Sequence, residues 1–369
     1  MDPSPSPEGA LTATPRVSIV FLVFNRRHEL AESLQRMTVE DDFPADRVEV
    51  IVVDNASSDG SADMVRQSFP SVRLIQRSVN NGVSGWNDGF AVASGDWVLA
   101  LDDDCYLPRG GLRQALAAAQ EHQADLVSFS VGSPHREDFR FTDAYRTGLL
   151  MFWGCAVLIS RPVLDQLGGY DPEIFVWANE LEFMLRFFDA GYRHLHLPEV
   201  MAVHMKDVTE RPKEEHVAER SYRLNARHWG YIAAKLLRPR DAATALANLL
   251  ATFVRDSVRI HPKALEAVMP ALSGFRHGLR HRAPVSLEVS STYRESFHSF
   301  VGPWWYSRPL TDILREAPGR VTRAALGRPD PEPPGRGSEN FARHAQFYPT
   351  SASVLQLLPG EPATQGQRT

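Results

Sequence analysis

Between Val17 and Asp104 the chain alternates short β-branched apolar runs with amphipathic stretches: VSIVFLVF, HELAESLQRM, VEVIVVD, GSADMVRQSF, VRLIQ, SGWNDGFAVA and DWVLALD. A strand that is apolar at every position must be covered on both faces, and helical spacers supply that cover. The pattern therefore predicts an α/β fold built on a parallel sheet. Each run ends in polar residues: Asn25 and Arg26, Asp54 and Asn55, Asn80 and Asn81, then Asp102, Asp103 and Asp104. Ligands of open α/β sheets bind beyond the carboxyl ends of the strands. The four polar clusters are expected to converge on one site.

Further along, a helix is expected through about Glu121, then a strand DLVSFS, a mixed-charge loop from Ser133 to Thr147 and a second apolar run, MFWGCAVLIS. In the following segment Leu181, Met184, Leu185 and Phe188 recur at helical spacing and predict one buried face, leaving Glu180, Glu182, Arg186 and Asp189 to other faces. Residues 214–325 read as mostly helical. Residues 1–16 are rich in Pro, Ser and Thr, and from Gly327 the composition turns to Pro, Gly and Gln, so both ends are expected to be loose.

With 369 residues and 43% hydrophobic content, the chain can bury a sizeable core. A net charge of -5 gives no electrostatic reason to expect a nucleic-acid partner. Cys105 and Cys155 are too few for a disulfide framework and imply a reducing compartment. MDPSPSPEGALTATPR lacks the basic start and apolar core of a signal peptide, and no apolar run reaches membrane-spanning length. The expectation is a cytoplasmic protein, with peripheral membrane contact and oligomeric state left open. Arg276, His277, Arg280, His281 and Arg282, beside Phe275 and Leu279, read either as a solvated helix end or as a membrane-facing or partner surface. Trp304, Trp305 and Tyr306 suit either sugar stacking or helix packing.

Three adjacent carboxylates repel one another, and acids at a strand end can hold a divalent cation with oxygen preference, Mg²⁺ or Mn²⁺, that bridges diphosphate oxygens. The plain alternative is a solvated acidic turn. In VVDNASSDGS, Ser57, Ser58 and Asp59 suit a helix cap, while Asp54 is an acceptor suited to the imide N–H of a pyrimidine. NNGVSGWNDG has glycines that allow close backbone approach, and its amides suit ribose or sugar hydroxyls.

The order VSIVFLVFN, VVDNASSDGS, NNGVSGWNDG, LALDDDC and YDPEIFVWANELEFMLRFFDAGYRHLHLPEVMAVHM resembles the family-two inverting glycosyltransferases, especially the rhamnosyltransferase and galactofuranosyltransferase-like branch. The resemblance covers roughly residues 17–237. It implies a GT-A fold, a Rossmann-like mixed sheet flanked by helices. The nucleotide-binding half would be about 17–108 and the acceptor half about 109–237, followed by a helical region over 238–326 and a tail over 327–369. It also implies a nucleotide-sugar donor, UDP- or dTDP-linked, bound with Mn²⁺ or Mg²⁺, and a hydroxyl acceptor that is a glycan, a lipid-linked molecule or a small molecule.

Carried onto this sequence, the resemblance puts Asp54 on the nucleobase, Asp103 beside the ribose, and Asn25, Arg26, Asn81, Gly82 and Asn87 around the donor. Asp102 and Asp104 become the outer acids of the Asp-x-Asp motif, and His204 a metal ligand. The family's Glu-Asp pair appears here as Asn179-Glu180, which departs from the pattern in both residues. Glu180 is the implied catalytic base and Glu182 the reserve. Each also has a structural explanation: Glu180 suits the positive end of a helix, and Glu182 stands four residues before Arg186. Rival readings are a sugar nucleotidyltransferase, although VFNRRHEL has no glycine-rich phosphate loop, and a GT-A protein that binds without turnover. A haloacid-dehalogenase-like phosphatase would need Gly-Thr where Cys105-Tyr106 stand.

Overall fold

The computed structural model describes residues 15–38, 43–133, 136–141, 152–205, 215–259 and 262–296. The N-terminal tail up to residue 14, most of the Ser133 to Thr147 loop, the Trp304–Tyr306 aromatics and the tail from Gly327 lie outside them. The chain forms two compact units, the first made of Met1–Phe141, Trp153–Gly169 and Tyr192–Asp207. The second takes Thr142–Phe152, Tyr170–Gly191 and Val208–Thr369. The first unit takes segments from both sides of residue 108, near which the two halves were expected to meet, whereas the second lies entirely after it.

The first unit is a nine-stranded mixed sheet among the described residues. Its parallel part comprises β1 (Val17–Val23), β2 (Val48–Asp54), β3 (Arg73–Gln76) and β4 (Trp97–Asp102), in the order β3-β2-β1-β4. These are the continuous apolar runs of the sequence. Ile19, Val20, Phe21, Val23, Ile51, Val52, Val53, Val98, Leu99, Ala100 and Leu101 are buried to 1% exposure or less. Each large apolar side chain so buried contributes roughly 1.5–3 kcal/mol. Helix α1 (Arg27–Thr38) meets α2 (Ser61–Ser68), and α3 (Trp86–Val92) lies across β1 and β2. There Gly89 admits Val20 and Val53 against the helix backbone.

Beyond β4 the sheet changes direction. After β5 (Cys105–Tyr106) and α4 (Gly111–His122), β6 (Leu126–Ser133) pairs with β7 (Arg136–Phe141). Strand β8 (Ala156–Ser160) then inserts between β4 and β6, antiparallel to both. After α5 (Arg161–Leu167), β9 (His194–His204) pairs parallel with β6 and antiparallel with β5. The parallel sheet expected from the apolar runs thus holds for the first four strands, and the whole is the mixed sheet that the resemblance implies.

The second unit carries the helices α6 (Asn179–Asp189), α7 (Glu215–Leu236), α8 (Pro239–Arg259), α9 (Val268–Arg280) and α10 (Leu287–Ser296) among its described residues. Helix α6 is buried more widely than one face, since Phe183 and Phe187 are as fully enclosed as Leu181, Met184 and Leu185. No helix among the described residues is long and apolar enough to cross a membrane. Helices α7 and α9 touch backbone to backbone through Gly230, Gly274 and Gly278. A Cβ on Gly274 would collide with the Arg227 carbonyl, and one on Gly278 with that of Tyr231. The guanidinium of Arg282, from the basic cluster, donates to the carbonyls of Ala234 and Leu237 at the end of α7.

Because neither helix backbone can yield locally, Gly274→Ala is expected to destabilise the protein by about 1–3 kcal/mol, in the range of overpacking. Replacing its exposed neighbour, Ser273→Ala, should change stability by no more than about 0.5 kcal/mol. Urea denaturation of the two variants checks this; equal midpoints would contradict the close packing.

Candidate active site

Strand register brings the polar strand ends of the first unit together. Val23 stands level with Asp54 on β2, and its neighbour Leu22 with Asp102 on β4, so both acids flank the end of β1. The turn after β1 carries Asn25 in the left-handed region at φ 54°, a conformation Asn tolerates. Its backbone N–H donates to Ser57 Oγ at 3.0 Å, and Ser58 N–H donates to Asn25 Oδ1 at 2.7 Å. These bonds tie the loops after β1 and β2. Asp54 is fully buried; Oδ1 accepts from Ser57 N–H at 3.0 Å, while Oδ2 has no hydrogen-bond donor.

The loop after β3 is held by amides. Asn55 Nδ2 donates to Asn80 Oδ1 at 2.8 Å and to the Gly82 carbonyl at 3.0 Å. Asn55 Oδ1 receives Asn81 N–H at 3.3 Å, which leaves the Asn81 side chain exposed. Asn87 lies against Gly169, whose missing side chain leaves room for its carboxamide. Arg77, immediately after β3, was not a sequence candidate. Its Nη1 is buried without an acceptor, close to Gly85, against which Asn55 also packs, and its Nε is 3.5 Å from Asp88.

The three consecutive aspartates have different surroundings. Arg26 Nη1 reaches Asp103 Oδ1 at 3.0 Å and Asp104 Oδ2 at 2.5 Å. Burial works against the guanidinium charge, but Asp103, Asp104 and Asp102 outweigh it and hold the Arg26 pKa above its ordinary value. Burial drives Asp103 up to about 7; Asp104 adds to the rise, and Arg26 together with the Phe24 N–H opposes it. Asp104 is 1% exposed and its Oδ1 has no hydrogen-bond donor.

That oxygen faces His204 Nε2 at 3.5 Å, across the β5–β9 pair in which Cys105 stands opposite His204. Asp104, Cys105 and His204 bring their ligand atoms within 4.8 Å of one another. An orphaned carboxylate oxygen beside an imidazole, sealed from water, is a donor set that fits a divalent cation. Burial and a hydrogen bond with Cys155 push the Cys105 thiol well above its ordinary pKa. Asp102, expected among the metal ligands, is not in this group, although its charge acts on both Arg26 and Cys105. Cys105 was missed because a lone thiol after three acids carries no spacing signal.

The second unit holds the other expected site residues. Trp177 and Ala178 are consecutive left-handed residues, at φ 62° and 63°, and they lead directly into α6. Asn179 is buried, whereas Glu180 is half-buried in the first turn of the helix. Glu182 is fully buried, with Arg186 on both carboxylate oxygens at 2.7–3.0 Å and Lys235 Nζ on Oε1 at 2.8 Å. Lys235 also binds Asp171 at 2.5 Å, and Asp171 accepts from the Tyr231 hydroxyl at 2.8 Å. His228, fully enclosed on α7, directs Nδ1 at the Trp177 carbonyl at 3.2 Å and so braces the left-handed pair.

Burial and neighbouring Arg227 lower His228 to about 4, against the pull of the Trp177 and Val176 carbonyls and Asp171. An unfolded imidazole binds a proton near pH 6.5, so the folded state should lose stability as pH falls from about 6.5 to about 4, by at most about 3 kcal/mol. Above that window its contribution is constant. Denaturation midpoints followed from neutral to acid pH should fall less steeply in His228→Gln than in the wild type; parallel profiles would contradict a buried neutral imidazole.

Residues 18–211 match the family described as Glycosyl transferase family 2. The chain is 32% identical over 117 residues to a poly(ribitol-phosphate) beta-glucosyltransferase of Bacillus spizizenii, a match covering 30% of this chain and only 18% of that protein. It is 24% identical over 263 residues to the N-acetylglucosaminyl-diphospho-decaprenol L-rhamnosyltransferase of Mycobacterium tuberculosis, covering 58% of this chain and 85% of that one. The fold is shared with the crystal structure of S. aureus TarS 1-349 in complex with UDP-GlcNAc, at a TM-score of 0.50 and 16% identity over 76% of this chain and 92% of that chain.

Proposed function

The chain belongs to glycosyl transferase family 2, and on that premise we propose that it moves a sugar from a UDP- or dTDP-linked donor to an acceptor hydroxyl, with inversion at the anomeric carbon and with Mn²⁺ or Mg²⁺. The observation that carries this reading is the buried, donorless Asp104 Oδ1 facing His204 Nε2 at 3.5 Å, at the carboxyl edge of the parallel strands. The fold is GT-A, in which that edge is where a nucleotide would lie. Family membership leaves the nucleotidyltransferase alternative without support.

In this reading Asp104 and His204 hold the cation, and Arg26 fixes Asp104 by its other oxygen while balancing the charge of Asp103. A divalent ion held there would supply positive charge to the departing diphosphate. Asp54 offers Oδ2 as acceptor to a base N–H, and Asn81 and Gly82 present amide and backbone groups to the donor. The C1–O bond to the diphosphate breaks as the acceptor oxygen bonds to C1 from the opposite face. Glu180 takes the acceptor proton. Glu182 is not available for that step, because Arg186 and Lys235 occupy its oxygens. No enzyme nucleophile is required. The match to a rhamnosyltransferase named for a decaprenol-linked acceptor supports a lipid-linked or glycan hydroxyl.

Two measurements test the proposal. Glu180→Gln should lower kcat by about 10²-fold or more, the usual contribution of a general base, with donor affinity retained. Comparable loss in both kcat and donor binding would remove Glu180 from that role. In a thermal-shift panel of nucleotide sugars, UDP- or dTDP-sugars should raise the Tm only with Mn²⁺ present, and His204→Ala or Asp104→Asn should abolish the metal-dependent part. Stabilisation by nucleoside triphosphates instead of nucleotide sugars would overturn the donor assignment.

A further inference from the structure

The second unit contains a cluster of metal-ligating side chains that the proposed reaction does not use. His277 and His281 stand four residues apart on α9 and its end, which places both imidazoles on one face, their ring centres 4.6 Å apart. Glu173, in the segment preceding α6, brings Oε2 to 2.8 Å from His277 Nε2. One ligand atom from each of Glu173, His277 and His281 lies within 4.8 Å of the others.

We propose that these three residues form a zinc site that clips the segment leading into α6 onto the C-terminal end of α9. Two imidazoles and one carboxylate are a set that zinc takes, with water in the fourth position. Magnesium and calcium prefer all-oxygen surroundings and are disfavoured. The side chains of His277 and Glu173 are 27% and 41% exposed and His281 is open to solvent, so an ion has access. The carboxylate of Glu173 and the carbonyls ending α9, the negative end of the helix, favour a cation here, against the opposing charges of Arg276 and Arg280 on the same helix.

The ligands are already oriented by a second layer of contacts. The Tyr231 ring stacks on His277 at 5.5 Å and 29°. The Tyr231 hydroxyl donates to Asp171, whose other oxygen receives Glu173 N–H at 2.9 Å. Carboxylate and aromatic partners that fix ligand orientation in this way are what a metal site needs from its surroundings. Binding would replace the Glu173–His277 hydrogen bond with two coordinate bonds. The restrained segment is the one that ends in the left-handed Trp177–Ala178 pair.

The test uses the full chain carrying Asp104→Asn and His204→Ala, which silences the other cluster, after EDTA treatment and dialysis. Zinc alone is titrated by calorimetry, and cobalt by its visible absorption. One equivalent of zinc should bind and raise the Tm, and cobalt should give the intense bands of a tetrahedral centre. His281→Ala, at an exposed position, and Glu173→Gln should each weaken zinc at least about tenfold and lose the Tm rise. Zinc binding that is unchanged by His281→Ala and Glu173→Gln overturns the proposal, as does no heat and no Tm shift with zinc in excess. Binding seen in the wild type but lost in the Asp104→Asn, His204→Ala background also overturns it, since the zinc would then sit at the other cluster.

Discussion

Three carboxylates in succession at the end of a buried strand cannot be stable without positive charge, and the first unit is organised around that requirement. β1 runs between β2 and β4, so the residues just past its end arrive beside the acids of both neighbours. Arg26 meets Asp103 and Asp104 there. One guanidinium does not complete the balance: Asp103 is driven towards neutrality, and Asp104 keeps an oxygen with no donor. The deficit is local and directional, on the side where β9 delivers His204. A divalent cation there would supply the missing charge.

The second unit solves a different problem, that of a helix buried nearly all round. α6 encloses Glu182 along with its phenylalanines, and a buried carboxylate is costly unless it is paired. Arg186 and Lys235 supply the pairing, and Lys235 passes the contact on to Asp171. Lys235 is held above its ordinary pKa, because Glu182 and Asp171 outweigh the burial that would discharge it. With Glu182 used in this way, the helix start retains Glu180 as its half-buried acid. The glycine contacts between α7 and α9 bring Tyr231, His277 and Lys235 near the same segment.

Much of this was legible in the chain itself. The apolar runs became strands because residues such as Ile51, Val52 and Val53 have no polar side to expose, and the polar residues after them could only lie at strand ends. The family resemblance followed from the order of those ends. Other features left no pattern. β8 enters the sheet out of chain order, so its antiparallel pairing with β4 depends on contacts between residues far apart in sequence. Arg77, Cys105 and His228 are single residues whose neighbours are decided by packing. Glu182 and Arg186 were visible as an i,i+4 pair, but the arrival of Lys235 from α7 was not.

Local chemistry thus determined which segments are strands and helices, where acids accumulate and which family the chain resembles, because burial and periodicity act over a few residues at a time. Tertiary structure alone decided which acid is paired and which is left open. Asp103, Asp104 and Glu182 are all carboxylates in sequence, yet only folding gives them their neighbours Arg26, His204, Arg186 and Lys235. Coulombic and desolvation energies depend on distance in space, and no local pattern encodes the distance between side chains that only folding brings together.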